Sequence, residues 1–113
     1  MGSSMNGWTN SDSNAWDSMK VTTQSADYSA GISDQVIMMD CRGGTRTVTL
    51  PAAALILGKS YTIFKVDPSA NPAIVVVDGG GTINGSGSYT LTSENSTVTV
   101  INDSSQWYIR CSR

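Results

Sequence analysis

TVTLP (Thr47–Pro51), GKSYTIFKVD (Gly58–Asp67) and AIVVVDGGGTINGSGSYTLTSENSTVTVINDSSQWYIR (Ala73–Arg110) make one train of short segments broken by glycine turns. The segments are rich in Val, Ile, Thr and Tyr, side chains that fit a pleated, half-buried surface, and the breaks carry Gly, Asn, Asp or Ser. That pattern predicts an all-β domain, a small antiparallel β-sandwich or barrel of about eight strands. Alternation puts Val48 and Leu50 on one face and Thr47 and Thr49 on the other, and Pro51 ends that strand because it has no N–H to donate. In Tyr61–Asp67, Thr62, Phe64 and Val66 take one side. Tyr61, Ile63 and Lys65 take the other, read as an interface face from which Lys65 snorkels to water. Trp107 and Tyr108 are strand neighbours and so face opposite ways, Trp107 toward the core and Tyr108 outward. Asp78–Gly87 reads as turns whose glycines adopt positive φ, and Asp103-Ser104-Ser105 as a hairpin loop.

Outward from that train, Gln35–Asp40 (QVIMMD) is an unbroken apolar run that predicts a strand buried on both faces, followed by a turn at Arg42-Gly43-Gly44. Val21–Ser33 reads as a strand or extended connector and a loop, with Asp27 and Tyr28 as turn and docking residues. Ala52–Leu57 is too short for an independent helix and reads as one turn or a packed connector. Met1–Lys20 is different: rich in Ser and Asn, without strand periodicity, it is an extended N-terminal arm preceding a β-domain over residues 21–113. Trp8 and Trp16 are its candidate partner anchors, because buried tryptophans carry a large share of binding energy. The alternatives are that the arm packs on its own domain, or that Met1–Ser4 are not native.

A length of 113 residues predicts one domain. With 39% apolar and 7% aromatic residues, a lone subunit is marginally stable, a deficit that small all-β chains offset by associating. Charged residues are 14% of the chain, against about a quarter in typical soluble domains, and the net charge is −2. Without a basic face to neutralise phosphates, nucleic acid is not expected as a partner. The apolar run around Ala70–Val77 is far too short for a membrane span, so no membrane partner is expected either. The N-terminus lacks a basic start and an apolar h-region, which predicts use without Sec export. Cys41 and Cys111 lie near the ends of the first and last confident strands. A disulfide requires Cα atoms within about 7 Å, and in a reducing cytoplasm two reduced, mostly buried thiols are favoured.

Catalytic chemistry finds little support. The chain has no histidine, so a serine nucleophile lacks its usual base. Lys59 beside Ser60 is the one lysine substitute, and strand neighbours point to opposite faces. Asp67, Asp78, Glu94 and Asp103 offer carboxylates for glycoside hydrolysis, but no spacing selects two of them, and they read as solvated turn residues. The glycine-rich Asp78–Gly87 lacks the Lys-Ser/Thr of a phosphate loop and precedes a strand, not a helix. Its oxygens lack EF-hand spacing, and two cysteines without histidine make no zinc site. No catalytic residue, metal or cofactor is therefore expected, and the chain reads as a scaffold or binder. Recognition belongs on exposed loops over a rigid frame, with Asn84, Ser86, Ser88, Glu94 and Asn95 the candidates. Tyr108 is a further candidate for stacking on sugars, although packing at a subunit contact is the stronger reading.

The order TVTLPAA, GKSYTIFKVD, DGGGTINGSGSYTLTSENSTVTVI and DSSQWYI, with VTTQSADYSAGISDQVIMMDC upstream, resembles a module widespread in virion proteins of tailed bacteriophages. There it forms the C-terminal part of tail fibres or stands alone as a small head-decoration or fibre protein. The resemblance covers most of the chain and implies a homotrimer in the virion, assembled in the host bacterial cytoplasm. It implies a structural role on the capsid, as a head-decoration or cement protein or a short head fibre. Its partners would be the major capsid protein or another virion protein. The alternative it implies is a tail-fibre or tail-tip module that binds a host surface glycan. A secreted carbohydrate-binding module is a third reading, weakened by the absent signal peptide.

Overall fold

A computed structural model describes residues 20–53 and 57–113. Among the described residues nine strands follow one another: β1 (Val21–Gln24), β2 (Tyr28–Ser29), β3 (Val36–Met39), β4 (Arg46–Leu50), β5 (Ser60–Lys65), β6 (Ala73–Val77), β7 (Ser88–Leu91), β8 (Ser96–Asn102) and β9 (Trp107–Ser112). They form a five-stranded sheet in the order β9-β8-β5-β3-β1 and a four-stranded sheet in the order β2-β4-β6-β7. The domain is all-β and sandwich-like, with its core between the two sheets.

Two corrections to the sequence expectation follow from the pairing. The sheets are mixed rather than antiparallel: β1 with β3, β3 with β5, β2 with β4 and β4 with β6 all pair in parallel. Only β5–β8, β8–β9 and β6–β7 are antiparallel. The cause is connectivity. From β1 to β6 the chain alternates between sheets, so successive strands of one sheet run the same way and the backbone winds as a flattened coil of three two-strand turns. Nor is the fold a closed barrel, since β1 and β9 edge one sheet and β2 and β7 the other.

Alternation fills the core as period-two strands require. Val48 and Leu50 are fully buried while Thr47 and Thr49 are half-buried outside. Tyr61, Ile63 and Lys65 are also fully buried, so their side of β5 faces the core and Lys65 does not snorkel. Trp107 is buried and Tyr108 is 40% exposed. Each fully buried Val, Leu or Ile contributes about 1.5–3 kcal/mol over its exposed state, and such side chains make up most of this core.

After β6 the chain makes a short 3-10 turn, Asp78–Gly80, in which Gly79 and Gly80 have φ of 76° and 80°. A side chain in that region is strained, which explains glycine there. Ile83 then drops into the core and forms isolated bridges with both Ser86 and Trp107. No helix among the described residues is long and apolar enough to cross a membrane.

Candidate functional site

The coil defines two ends. At one lie the passages from the five-stranded to the four-stranded sheet, and an aspartate stands on each of them: Asp27 between β1 and β2, Asp40 between β3 and β4, and Asp67 between β5 and β6. Asp27 Oδ1 accepts the Thr47 N–H at 2.9 Å and Asp67 Oδ1 accepts the Cys41 N–H at 2.7 Å. Each of these carboxylates thus ties its own turn of the coil to a neighbouring one. Asp40 instead caps Arg42, accepting its N–H at 3.0 Å.

The Asp67 tie is the most elaborate. Lys65 Nζ donates to the Asp67 carbonyl at 2.9 Å, to Asp67 Oδ2 at 3.2 Å and to the Ser69 carbonyl at 2.6 Å, which satisfies all three ammonium protons. Asp67 Oδ2 also accepts the Ser69 N–H at 3.0 Å and the Ser69 hydroxyl. Both charged side chains are fully buried. Burial alone would raise the Asp67 pKa, but the Ser69 hydroxyl, the Cys41 N–H and the Lys65 ammonium outweigh it and hold the carboxyl well below the usual range. Asn71 closes the corner, its Nδ2 donating to the Cys41 carbonyl at 2.9 Å.

At the other end the reverse passages carry a second buried carboxylate. Asp34 Oδ2 accepts the Tyr28 hydroxyl at 2.6 Å and the Gly31 N–H at 2.8 Å, and Lys20 Nζ lies 3.4 Å from Oδ1. Burial opposes ionisation of Asp34, yet the Tyr28 hydroxyl, the Gly31 N–H and Lys20 together lower its pKa. Tyr61 donates to the Gly31 carbonyl at 2.8 Å, and burial, with the nearby Asp34 charge, pushes its phenol up to about 12.

The expected recognition residues divide between these ends. Asn84, Ser86 and Ser88 are exposed at the Asp34 end. Asn84 has φ of 50°, and its Oδ1 accepts the Ile109 N–H at 3.0 Å, so it is partly a structural residue. Glu94 and Asn95 are exposed at the Asp67 end, where the Asn95 N–H donates to the Lys65 carbonyl at 2.7 Å. The whole length of β8 separates the groups, about 20 Å at about 3.3 Å per residue, so they form two surfaces and not one. The second includes an open depression of about 420 Å³ lined by Tyr89–Ser96 and Arg113. Trp8 and Trp16 lie outside the described residues.

The carboxylates considered for hydrolysis are likewise dispersed. Asp67 is consumed by its tie. Asp103, lowered to about 2 by the Gln106 and Ser105 N–H groups and the Ser105 hydroxyl, caps the β8–β9 loop. Asp78 and Glu94 are exposed at opposite ends, farther apart than the roughly 10 Å that a glycosidase pair spans. Among the described residues, no group of three His, Cys, Asp or Glu side chains is placed to hold a metal.

Cys41 is buried, where desolvation and then the Asp67 charge raise its pKa, whereas Cys111 is exposed on the edge strand β9, contrary to the expectation of two buried thiols. The described fold joins neither to the other. Alkylation of the denatured, unreduced protein is expected to modify both, read as two added masses. Recovery of a Cys41–Cys111 linked peptide would contradict this.

Sequence inspection missed the ties at Asp67 and Asp34. The signal for the first was a lysine on the inward side of an alternating strand, followed at two-residue steps by Asp67 and Ser69. The geometry defines the class: an all-β coil of two mixed sheets, whose buried polar groups brace its corners. No protein-family model matches the sequence, and no curated protein matches it.

Proposed function

We propose that this chain is a virion structural protein of a tailed phage, a trimeric head-decoration or cement protein or a short head fibre. The observation that carries this is the use of the buried charges. Lys65, Asp67 and Asp34 fasten one turn of the coil to the next or close its passages, an investment in rigidity rather than in a reacting cluster. A rigid bracket repeated on several capsid subunits adds contact area without chemistry, and its avidity grows with each linked site. The likeness of the sequence to phage virion modules supplies the setting.

The arm supplies the attachment. Lys20 belongs to the domain, because its N–H donates to Gln35 Oε1 at 2.8 Å and its carbonyl accepts from Val36 at 3.0 Å. A chain lacking residues 1–19 is therefore expected to keep its β-sheet circular dichroism and lose binding to phage particles in co-sedimentation. Each tryptophan buried at a partner contributes about 2 kcal/mol or more, so losing two is expected to weaken binding by about three orders of magnitude. Unchanged co-sedimentation of the truncated protein would remove the arm from the mechanism, and failure of the full chain to bind any particle would remove the virion assignment. The second reading, a host-glycan binder, is favoured by the depression at the Asp67 end, where Tyr89, Glu94, Asn95 and Arg113 offer a ring, a carboxylate, an amide and a guanidinium together. Glycan-array binding lost on Glu94→Ala would select it.

A further inference from the structure

The pair Asn84–Gly85 lies on the described surface, between the bridge residues Ile83 and Ser86. An asparagine followed by glycine is the pairing most open to deamidation, because glycine has no Cβ to keep its nitrogen away from the preceding carboxamide. In that reaction the Gly85 nitrogen gives up its proton and bonds to Asn84 Cγ, and the carboxamide nitrogen takes a proton and leaves as ammonia. Water then opens the five-membered imide at one carbonyl or the other, giving aspartate or isoaspartate. The sum is amide plus water to acid plus ammonia, with no oxidant or cofactor. Both residues are exposed, so water reaches them freely.

We infer that Asn84–Gly85 is a deamidation site that the fold holds shut, with Gln106 as the positioning residue that holds it. The two reacting groups are bonded to different neighbours. Asn84 Oδ1 accepts the Ile109 N–H at 3.0 Å, which turns the carboxamide toward β9. The Gly85 N–H donates to Gln106 Oε1 at 3.0 Å, an oxygen that also accepts the Thr82 hydroxyl at 3.2 Å. Forming the imide would remove the very proton that Gln106 accepts and draw Asn84 Cγ away from Ile109. The turn resists that movement, since Ile83 and Ser86 exchange N–H···O bonds of 2.8 and 2.9 Å across it. Its φ values of 50° at Asn84 and 81° at Gly85 suit the two-residue hairpin turn that Asn-Gly favours. Gln106 is itself fixed: its N–H donates to Asp103 Oδ1 at 3.0 Å and its carbonyl accepts the Asp103 N–H at 3.3 Å. An aspartate product keeps an acceptor for Ile109. An isoaspartate product adds a backbone methylene within the bonded turn, and either product brings a negative charge to a surface considered for recognition.

The full-length protein, held at mildly alkaline pH and physiological temperature and then digested, reports conversion as a gain of about one dalton when NH2 becomes OH. The gain is read on the peptide containing Asn84, which separates it from the other Asn-Gly pair of the chain, Asn6–Gly7. Conversion at Asn84 is expected to be about a hundredfold slower in the native protein than in the urea-unfolded one, the factor that misplacing reacting groups by about an ångström costs. Gln106→Leu is expected to raise the native rate by about fivefold, the worth of one hydrogen bond, with an unchanged circular dichroism spectrum. Gln106→Glu keeps an oxygen acceptor for the Gly85 N–H and is expected to restore the wild-type rate, a rescue that mere loosening of the loop would not show. Equal rates in native and unfolded protein overturn the inference. So does a Gln106→Leu rate equal to that of the wild type, or a Gln106→Glu rate as fast as that of Gln106→Leu.

Discussion

Asp67→Ala is expected to lower the stability of the domain by about 3–5 kcal/mol, the cost of leaving one partner of a buried ion pair uncompensated. The substitution strips acceptors from the Cys41 and Ser69 N–H groups and leaves the Lys65 ammonium charged in the core. Lys65→Met is expected to cost less, about 1–3 kcal/mol, because Asp67 keeps the Cys41 and Ser69 donors while a methionine fills the space. Acid sensitivity follows with a definite sign. The folded Asp67 pKa lies below its unfolded value of about 3.9, so the contribution is fully present above that pH and is lost progressively as pH falls below about 4. Urea midpoints at pH 7 and pH 3 therefore converge for the wild type and Asp67→Ala. A loss below about 1 kcal/mol at pH 7, or a gap that widens in acid, would mean that the tie does not hold the coil together.

Much of the fold was legible because period-two patterning reports burial directly. The strand expected to end at Pro51 is Arg46–Leu50, Trp107 is inside and Tyr108 outside, and the glycines near Asp78 make turns. Pairing direction was not legible. Alternation is the same in parallel and antiparallel ladders, and only connectivity distinguishes them. A recurrence of strand, aspartate and strand at Asp27, Asp40 and Asp67 was the available sign of the coil. Lys65 was misread because charge was taken to imply solvent, although its place in the Tyr61–Ile63 alternation pointed inward. The loop candidates were each exposed as expected, but distance along the chain does not reveal which end of a sheet a loop reaches. A strand of seven residues put Asn84 and Glu94 on different surfaces.

Trp107→Ala is expected to be of similar severity, about 3–5 kcal/mol, through a different mechanism. Trp107 is fully buried at the start of β9, its ring centroid 5.6 Å from that of Tyr61 at a 45° tilt, and its Nε1 donates to the Pro51 carbonyl at 3.0 Å. Its backbone serves the same junction: the Trp107 N–H donates to the Thr82 carbonyl at 3.0 Å and its carbonyl accepts the Asn84 N–H at 2.9 Å. Removing the indole opens a cavity between the last strand and the connector after β4 and orphans the Pro51 carbonyl, while the backbone bonds to Thr82 and Asn84 remain. For a domain of this size 1 kcal/mol corresponds to about 4–8 °C, so the melting temperature is expected to fall by about 12 °C or more. Trp107→Phe separates packing from hydrogen bonding. It keeps a ring against Tyr61 but orphans the Pro51 carbonyl, and is expected to cost about 1–2 kcal/mol. Calorimetry on the full-length chain measures both. If the alanine and phenylalanine proteins melt together, packing of the indole against Tyr61 is not what anchors β9.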